Sequence, residues 1–142
     1  MERRSSPSNA RTTPKITQTE WEIMRIVWAR HPIASSAIIE QLIAVDRTWH
    51  PKTARALLSR LVQRKALRCE LEGRTAVYDP LVTERECIAA ASETFLERVL
   101  AGSLKPMLTY FVEQKQITKA DLQELSDLLE AKETVRKPRR KP

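Results

Sequence analysis

The apolar positions in the first half of the chain recur at the spacing of α-helices. Trp21, Met24 and Trp28 fall on one face of a first helix, and Ile38 and Leu42 face inward in a second. Together with a third stripe that follows a short connector, they predict helices over about 17–30, 35–44 and 50–65. Two short helices with a brief join, the second one basic on its outer face, are typical of a helix-turn-helix.

The third predicted helix divides into an apolar face and a cationic face. Pro51 suits its first position, where a backbone N–H would be unpaired in any case. The apolar face consists of Ala54, Leu57, Leu58, Leu61 and Val62. The opposite face has no carboxylate and carries Lys52, Thr53, Arg55, Ser59, Arg60 and Gln63. Long cations and hydroxyls suit phosphate oxygens and base edges, so this face predicts a recognition helix in the major groove of DNA.

Residues 67–78 follow this helix and form two short, partly alternating halves. Glu72-Gly73-Arg74 marks the turn between them, and Gly73 supplies the positive φ that such a turn requires. The pattern predicts a β-hairpin directly after the recognition helix. That is the position of the wing in a winged helix.

Three further apolar stripes predict three helices in the C-terminal part, the first opened by a capping box of Thr83 and Glu86. So short a segment cannot comfortably bury such wide stripes by itself, and a second copy of the chain would supply the missing surface. The predicted fold class is mainly α (α+β), a winged helix-turn-helix with a C-terminal three-helix dimerisation region. The predicted homodimer contacts are Phe95, Val99, Leu104, Met107, Leu108, Phe111, Leu122, Leu125 and Leu129.

Charge is distributed unevenly along the chain, whose formal net charge is +7. Residues 47–78 hold eight Lys or Arg and two Glu, whereas residues 79–134 hold six Lys or Arg and eleven Asp or Glu. A local basic patch steers a protein toward polyanions such as DNA. The predicted organisation is a flexible basic arm over 1–15, a winged-helix DNA-binding domain over 16–80, a helical dimerisation domain over 81–132 and a basic disordered tail over 133–142.

Composition argues against several other classes of protein. No segment approaches the roughly 20 apolar residues needed to cross a bilayer, and no apolar stretch follows the first arginines as in a secretory signal. Cys69 and Cys87 fit a reducing compartment and lack the spacing of a metal site. No catalytic Ser/His/Asp or Cys/His arrangement and no phosphate-binding glycine loop is present. We therefore expect a cytoplasmic protein that is not an enzyme, has no cofactor or metal and does not insert into membranes.

Several stretches resemble the penicillinase and methicillin-resistance repressors, the BlaI/MecI/CopY family. Residues 18–28 (QTEWEIMRIVW) resemble its first helix, and residues 49–53 (WHPKT) with 57–61 (LLSRL) are similar to its W-S-P-K-T recognition helix. Glu72-Gly73-Arg74 with Val77-Tyr78 is similar to its wing. Its dimerisation part is similar to Phe95-Leu96, Gly102-Ser103-Leu104 and Phe111-Val112-Glu113. The resemblance covers roughly residues 16–131.

The resemblance implies a dimeric winged-helix repressor that binds inverted repeats of TACA/TGTA type in double-stranded operator DNA. By position, Lys52, Thr53 and Arg55 meet bases and nearby phosphates. The predicted DNA-binding set is completed by Trp49, Ser59, Arg60, Arg74 and Tyr78, of which Arg60 and Arg74 hold phosphates while Trp49 and Tyr78 frame the site. His50 replaces the usual serine, and an imidazole caps a helix less readily than a hydroxyl.

The resemblance also suggests how repression is relieved. In penicillin-responsive members, a membrane sensor with a zinc protease domain leads to cleavage of an Asn-Phe bond in the dimerisation helix. The matching bond is Tyr110–Phe111, so the phenylalanine is present and the asparagine is not. Control of β-lactamase or related resistance and stress genes, relieved by proteolysis, is therefore the favoured interpretation. A metal- or redox-responsive repressor of the same fold and a winged-helix protein-interaction module remain as alternatives.

Overall fold

The computed structural model describes the backbone of residues 13–140 and the side chains as far as residue 133. Most of the predicted basic arm and the last two residues of the predicted tail lie outside the described part. In chain order the elements are α1 (Gln18–Ala29), β1 (Ile33–Ala34), α2 (Ser35–Val45), α3 (Pro51–Gln63), β2 (Leu67–Glu72), β3 (Thr75–Pro80), α4 (Glu84–Arg98), α5 (Lys105–Glu113) and α6 (Lys119–Arg140).

The first part of the chain is a winged helix-turn-helix, as predicted. Strands β2 and β3 pair antiparallel with Glu72 opposite Thr75, so their turn is only two residues long. Gly73 has a φ of +66° in that turn, which confirms the reason for a glycine there. The sheet also contains β1, which the sequence did not predict, and its strand order is β1-β3-β2. Two residues are too short to show a period, and β1 exists because Ile33 pairs with Tyr78.

The core of this part lies between the first three helices and the sheet. The inward faces of α1 and α2 bury Ile23, Met24, Val27, Ile38 and Leu42. The apolar stripe of α3 packs against them, with Ala54, Leu57, Leu58 and Leu61 all buried. The core therefore fixes which face of α3 points inward. The opposite face is left to solvent.

The chain divides into two compact units, one ending at Thr94 and one starting at Phe95. The division lies inside α4, whereas the sequence predicted a domain boundary after residue 80. The indole Nε1 of Trp28 donates to the carbonyl of Val82 at 2.9 Å, and the side chain of Val82 packs against the core. Cys87 is buried in the first turns of α4. The segment after β3 therefore folds with the first unit.

The second unit contains the end of α4 together with α5 and α6. None of residues 95–133 is buried. The last helix continues to Arg140 and therefore includes residues 133–140, which the sequence analysis assigned to the tail. Glu130-Ala131-Lys132-Glu133 are good helix formers, and they continue α6 beyond its last leucine. Among the described helices, none combines the length and the apolar character that a bilayer span requires.

Candidate nucleic-acid interface

The outer face of α3 presents the polar side chains that the sequence predicted. Lys52, Thr53 and Arg55 are exposed in its first two turns, and Ser59 and Arg60 are exposed further along. Arg74 is exposed at the turn of the β2–β3 hairpin, which we call the wing. Six of the eight predicted DNA-binding residues therefore have side chains open to a ligand.

The remaining two predicted residues, Trp49 and Tyr78, are half-buried and pack against the core. The indole Nε1 of Trp49 donates to Oε1 of Glu22 at 3.1 Å, which fastens the residue just before α3 to α1. Tyr78 lies opposite Cys69 in the hairpin. Burial, with a smaller effect of Cys69, raises the pKa of Tyr78 to about 12, so its hydroxyl stays neutral. The Trp49 side chain therefore joins the start of α3 to α1, and Tyr78 packs between the hairpin and the core.

The imidazole of His50 caps the N-terminus of α3. Its Nδ1 accepts a hydrogen bond from the backbone N–H of Lys52 at 3.1 Å, and Pro51 occupies the first turn. The lone pair on Nδ1 does here what a serine hydroxyl oxygen does at an ordinary N-cap. The substitution of histidine for serine thus preserves the cap.

Replacement of His50 by alanine should lower the free energy of unfolding by about 0.5–2 kcal/mol, the usual contribution of an N-cap side chain. His50→Ser supplies a hydroxyl acceptor and should retain or increase the stability of the natural chain. Urea unfolding followed by circular dichroism compares the three proteins. Equal stability of His50→Ala and the natural chain would show that the cap contributes nothing.

Carboxylates neutralise part of the basic patch that the sequence shows over residues 47–78. Arg64 forms an ion pair with Glu20, and Arg68 lies 3.4 Å from Asp79 and 3.6 Å from Glu70. Arg60 is farther from its acid, with 3.8 Å between its Nη2 atom and Oε2 of Glu20. Within the described residues, the patch cations without an ion pair are Arg47, Lys52, Arg55, Lys65 and Arg74. The free positive charge is therefore concentrated on α3 and its flanks and on the wing.

Glu20 is a fully buried carboxylate that the sequence analysis did not single out. It completes a capping box with Thr17, whose backbone N–H donates to Oε1 at 3.0 Å. Burial alone would raise the pKa of Glu20, but the Thr17 N–H and the Arg64 guanidinium outweigh it and hold the pKa below the usual 4.5. The Thr17–Glu20 spacing is visible in the sequence. The pairing with Arg64 is not, because 44 residues separate the two.

The lowered pKa of Glu20 predicts a loss of stability in acid. The ionised carboxylate stabilises the fold at pH values above about 4.5, and this contribution disappears as the pH falls through the lower folded-state pKa. Glu20→Gln lacks this carboxylate contribution at every pH. The natural chain should therefore be more stable than the variant at pH 6, and the two free energies of unfolding should converge as the pH falls to 3. Urea titrations at stepped pH measure this, and a constant difference would contradict it.

Both cysteines are free thiols, one exposed and one buried. Burial, assisted by Glu86, raises the pKa of Cys87 to about 11, so its nucleophilic thiolate is scarce at neutral pH. Among the described residues, no group of three or more His, Cys, Asp or Glu side chains is placed to hold a metal ion. Burial of Cys87 therefore disfavours reaction of its thiol with an oxidant in the folded chain.

Comparison with known proteins decides the family. A family model described as the penicillinase repressor matches residues 16–131. The chain belongs to the penicillinase repressor family. This is a family of transcriptional repressors, so this chain is a repressor and not an enzyme.

Individual relatives of this repressor align over most of its length. The penicillinase repressor of Bacillus licheniformis is 35% identical over 117 residues, which are 82% of this chain and 91% of the relative. The methicillin resistance regulatory protein MecI of Mammaliicoccus sciuri is 30% identical over 120 residues, 84% and 97% of the two chains. The solved DNA-binding domain of the repressor BlaI is 36% identical, covers 51% of this chain and 88% of its own, and has a TM-score of 0.48.

Proposed function

We propose that this chain represses transcription by binding, as a homodimer, an operator with inverted repeats of TACA/TGTA type. The observation that carries the proposal is the outer face of α3, which is exposed, has no carboxylate and holds two cations, Lys52 and Arg55, without an ion pair among the described residues. A surface helix ordinarily mixes both signs of charge, whereas phosphates and base edges demand donors and cations. We also propose that the protein is cytoplasmic, since its relatives are repressors of bacteria, whose DNA lies in the cytoplasm.

The positions of the side chains support different tasks along the interface. Residues near the N-terminus of a recognition helix reach base edges, and this suits Lys52, Thr53 and Arg55. Ser59 and Arg60 lie one to two turns further on, where the helix passes the backbone of the duplex. Arg74 at the end of the wing can reach a phosphate beside the groove that α3 occupies. The protein thereby contacts the duplex from two elements.

The exposed apolar side chains of the second unit support a homodimer. Seven of the nine predicted contacts are 40% to 63% exposed in the single chain, namely Phe95, Val99, Leu104, Leu108, Leu122, Leu125 and Leu129. Met107 and Phe111 are half-buried. Full burial from complete exposure stabilises an apolar side chain by about 1.5–3 kcal/mol, so a half-exposed side chain would gain roughly half of that. A second copy of the unit offers the same apolar surface, and two-fold pairing matches the symmetry of an inverted repeat.

The proposed targets are β-lactamase or related resistance and stress genes, in keeping with the names of the relatives. We place the release of repression at the Tyr110–Phe111 bond, acted on through a membrane sensor-protease pathway. This bond lies within α5, where Tyr110 is 54% exposed and the two rings pack edge to face at 5.3 Å. Because proteases bind extended backbone, α5 has to unwind locally before this bond is cut. Cleavage there removes α6 from the predicted dimer surface.

The proposal is tested by fluorescence anisotropy with three labelled duplexes. One carries a TACA/TGTA inverted repeat, one carries a single half-site and one is a scrambled sequence of the same composition. The expected order of affinity is inverted repeat, then half-site, then scrambled duplex, with two protomers on the inverted repeat. Equal affinity for all three duplexes would refute sequence-specific binding. Mass spectrometry of the protein from β-lactam-treated cells of the source organism tests for a fragment that ends at Tyr110.

A further inference from the structure

We infer that Glu20 is a specificity-determining residue, because it withholds Arg64 and part of the charge of Arg60 from the phosphate backbone. The inference rests on the proposed DNA-binding function. A repressor has to prefer its operator over an excess of other DNA, and free cations strengthen binding to every sequence alike. A buried carboxylate beneath the recognition helix limits that sequence-independent attraction.

Arg60 lies in the last turn of α3, Arg64 caps the C-terminus of that helix, and both side chains reach Glu20 of α1. The two arginines are four residues apart, so their side chains leave the helix in nearly the same direction. The Nη2 atom of Arg64 pairs with Oε1 of Glu20, while its Nη1 atom donates to the carbonyl oxygen of Lys15 at 2.6 Å. The Arg64 side chain is 34% exposed and that of Arg60 is 57% exposed. Both terminal nitrogens of the Arg64 guanidinium thus have a partner in the protein, whereas Arg60 has only its longer contact with Glu20.

The capping box does not by itself require a buried charge at Glu20. Its side chain is 0% exposed, and Oε2 accepts no hydrogen bond among the described residues. A capping box is equally well made by glutamine, which would not bury a negative charge. A carboxylate at this position needs a cation to balance it, and Arg64 is that cation. The pair therefore neutralises one arginine at the end of the recognition helix in a way that glutamine could not.

Glu20→Gln keeps the size of the side chain and the acceptor for Thr17 but releases the arginines. Each additional phosphate neutralised steepens the dependence of log affinity on log salt by about 0.9. We expect the slope on scrambled duplex to steepen by about one, its affinity to rise several-fold at low salt, and the ratio of operator to scrambled affinity to fall.

Glu40→Gln is the matched control. Glu40 is an exposed residue of α2 without an ion pair among the described residues, so this change removes one negative charge and releases no arginine. Its slope should equal that of the natural chain. The double variant Glu20→Gln/Arg64→Gln should also return toward the natural slope, because the released cation is gone. Equal salt slopes for Glu20→Gln and Glu40→Gln would overturn the inference. So would a Glu20→Gln variant that loses the same amount of affinity on the operator and on the scrambled duplex.

Arg64→Gln keeps the inference testable if Glu20→Gln does not fold. Because Arg64 makes no phosphate contact in the natural chain, its loss should leave the salt slope unchanged even if stability falls. A slope that decreases by about one would show that Arg64 binds phosphate, and the inference would be wrong. The operator preference of the natural chain is measured in the same titrations. Its absence would count against the proposed function, whereas the slopes on scrambled duplex test Glu20 separately.

Discussion

The double variant Leu108→Glu/Leu125→Glu is expected to be monomeric and to bind the inverted repeat at least about 100-fold more weakly than the natural chain. Both leucines are exposed in the single chain, at 40% and 54%, so the change does not remove a side chain from the core of the first unit. It places carboxylates in the proposed apolar interface, where they would have to lose their water. In the dimer, a protomer bound to one half-site holds its partner at a high effective concentration beside the other half-site. A monomeric variant loses this advantage.

Light scattering after size-exclusion chromatography and anisotropy on the inverted repeat measure the two effects. Val45→Glu is the control for oligomeric state, since Val45 is 87% exposed on α2 in the first unit. It should remain dimeric. The affinity of the double variant for a single half-site should be close to that of the natural chain. A double variant that stays dimeric would place the interface elsewhere.

Arg55→Ala is expected to reduce operator affinity by about 1–3 kcal/mol, or roughly 5- to 150-fold, and to relax the preference for one base pair. Arg55 is exposed on α3 and has no ion pair among the described residues, so its guanidinium is available to a base edge. Affinities for the inverted repeat, for single-base variants of it and for scrambled duplex measure the change. A loss of the same size on operator and scrambled duplex would make Arg55 a phosphate contact only.

Arg68→Ala is the matched control for this second prediction. It removes the same side chain from the same basic stretch, but Arg68 lies against Asp79 and Glu70. Its effect on operator affinity should be much smaller than that of Arg55→Ala. A comparable loss would mean that net charge, and not the position of the guanidinium, determines affinity.

Local sequence signals predicted the recognition helix and the wing. The apolar stripe of α3 repeats within one helix, and Pro51 and the two-residue turn at Gly73 are local as well. The predicted polar residues of α3 are all exposed because the core packs against the opposite face. What each of them does with DNA stays a prediction.

Contacts between residues far apart in the chain were not predictable in the same way. Strand β1 depends on β3, Trp49 depends on Glu22, and Arg64 depends on Glu20. Two of these pairings bear on the site, because they fasten the Trp49 indole to α1 and pair the Arg64 guanidinium with a carboxylate. The place where the chain divides into two compact units depends on long-range contacts as well. Asp79-Pro80 has the composition of a break, but Val82 and Cys87 fold back into the first unit.

Selection of bound sequences from a random duplex library by the full chain tests the central claim most directly. If α3 reads bases and two protomers act together, the enriched sequences should contain TACA and TGTA half-sites in inverted orientation, with centres one helical turn or a multiple of about 10 base pairs apart. Sequences selected by the Arg55→Ala variant should have the same spacing between half-sites but no base preference at one position of each half-site. Recovery of no common sequence, or of a single half-site without its inverted copy, would contradict the account.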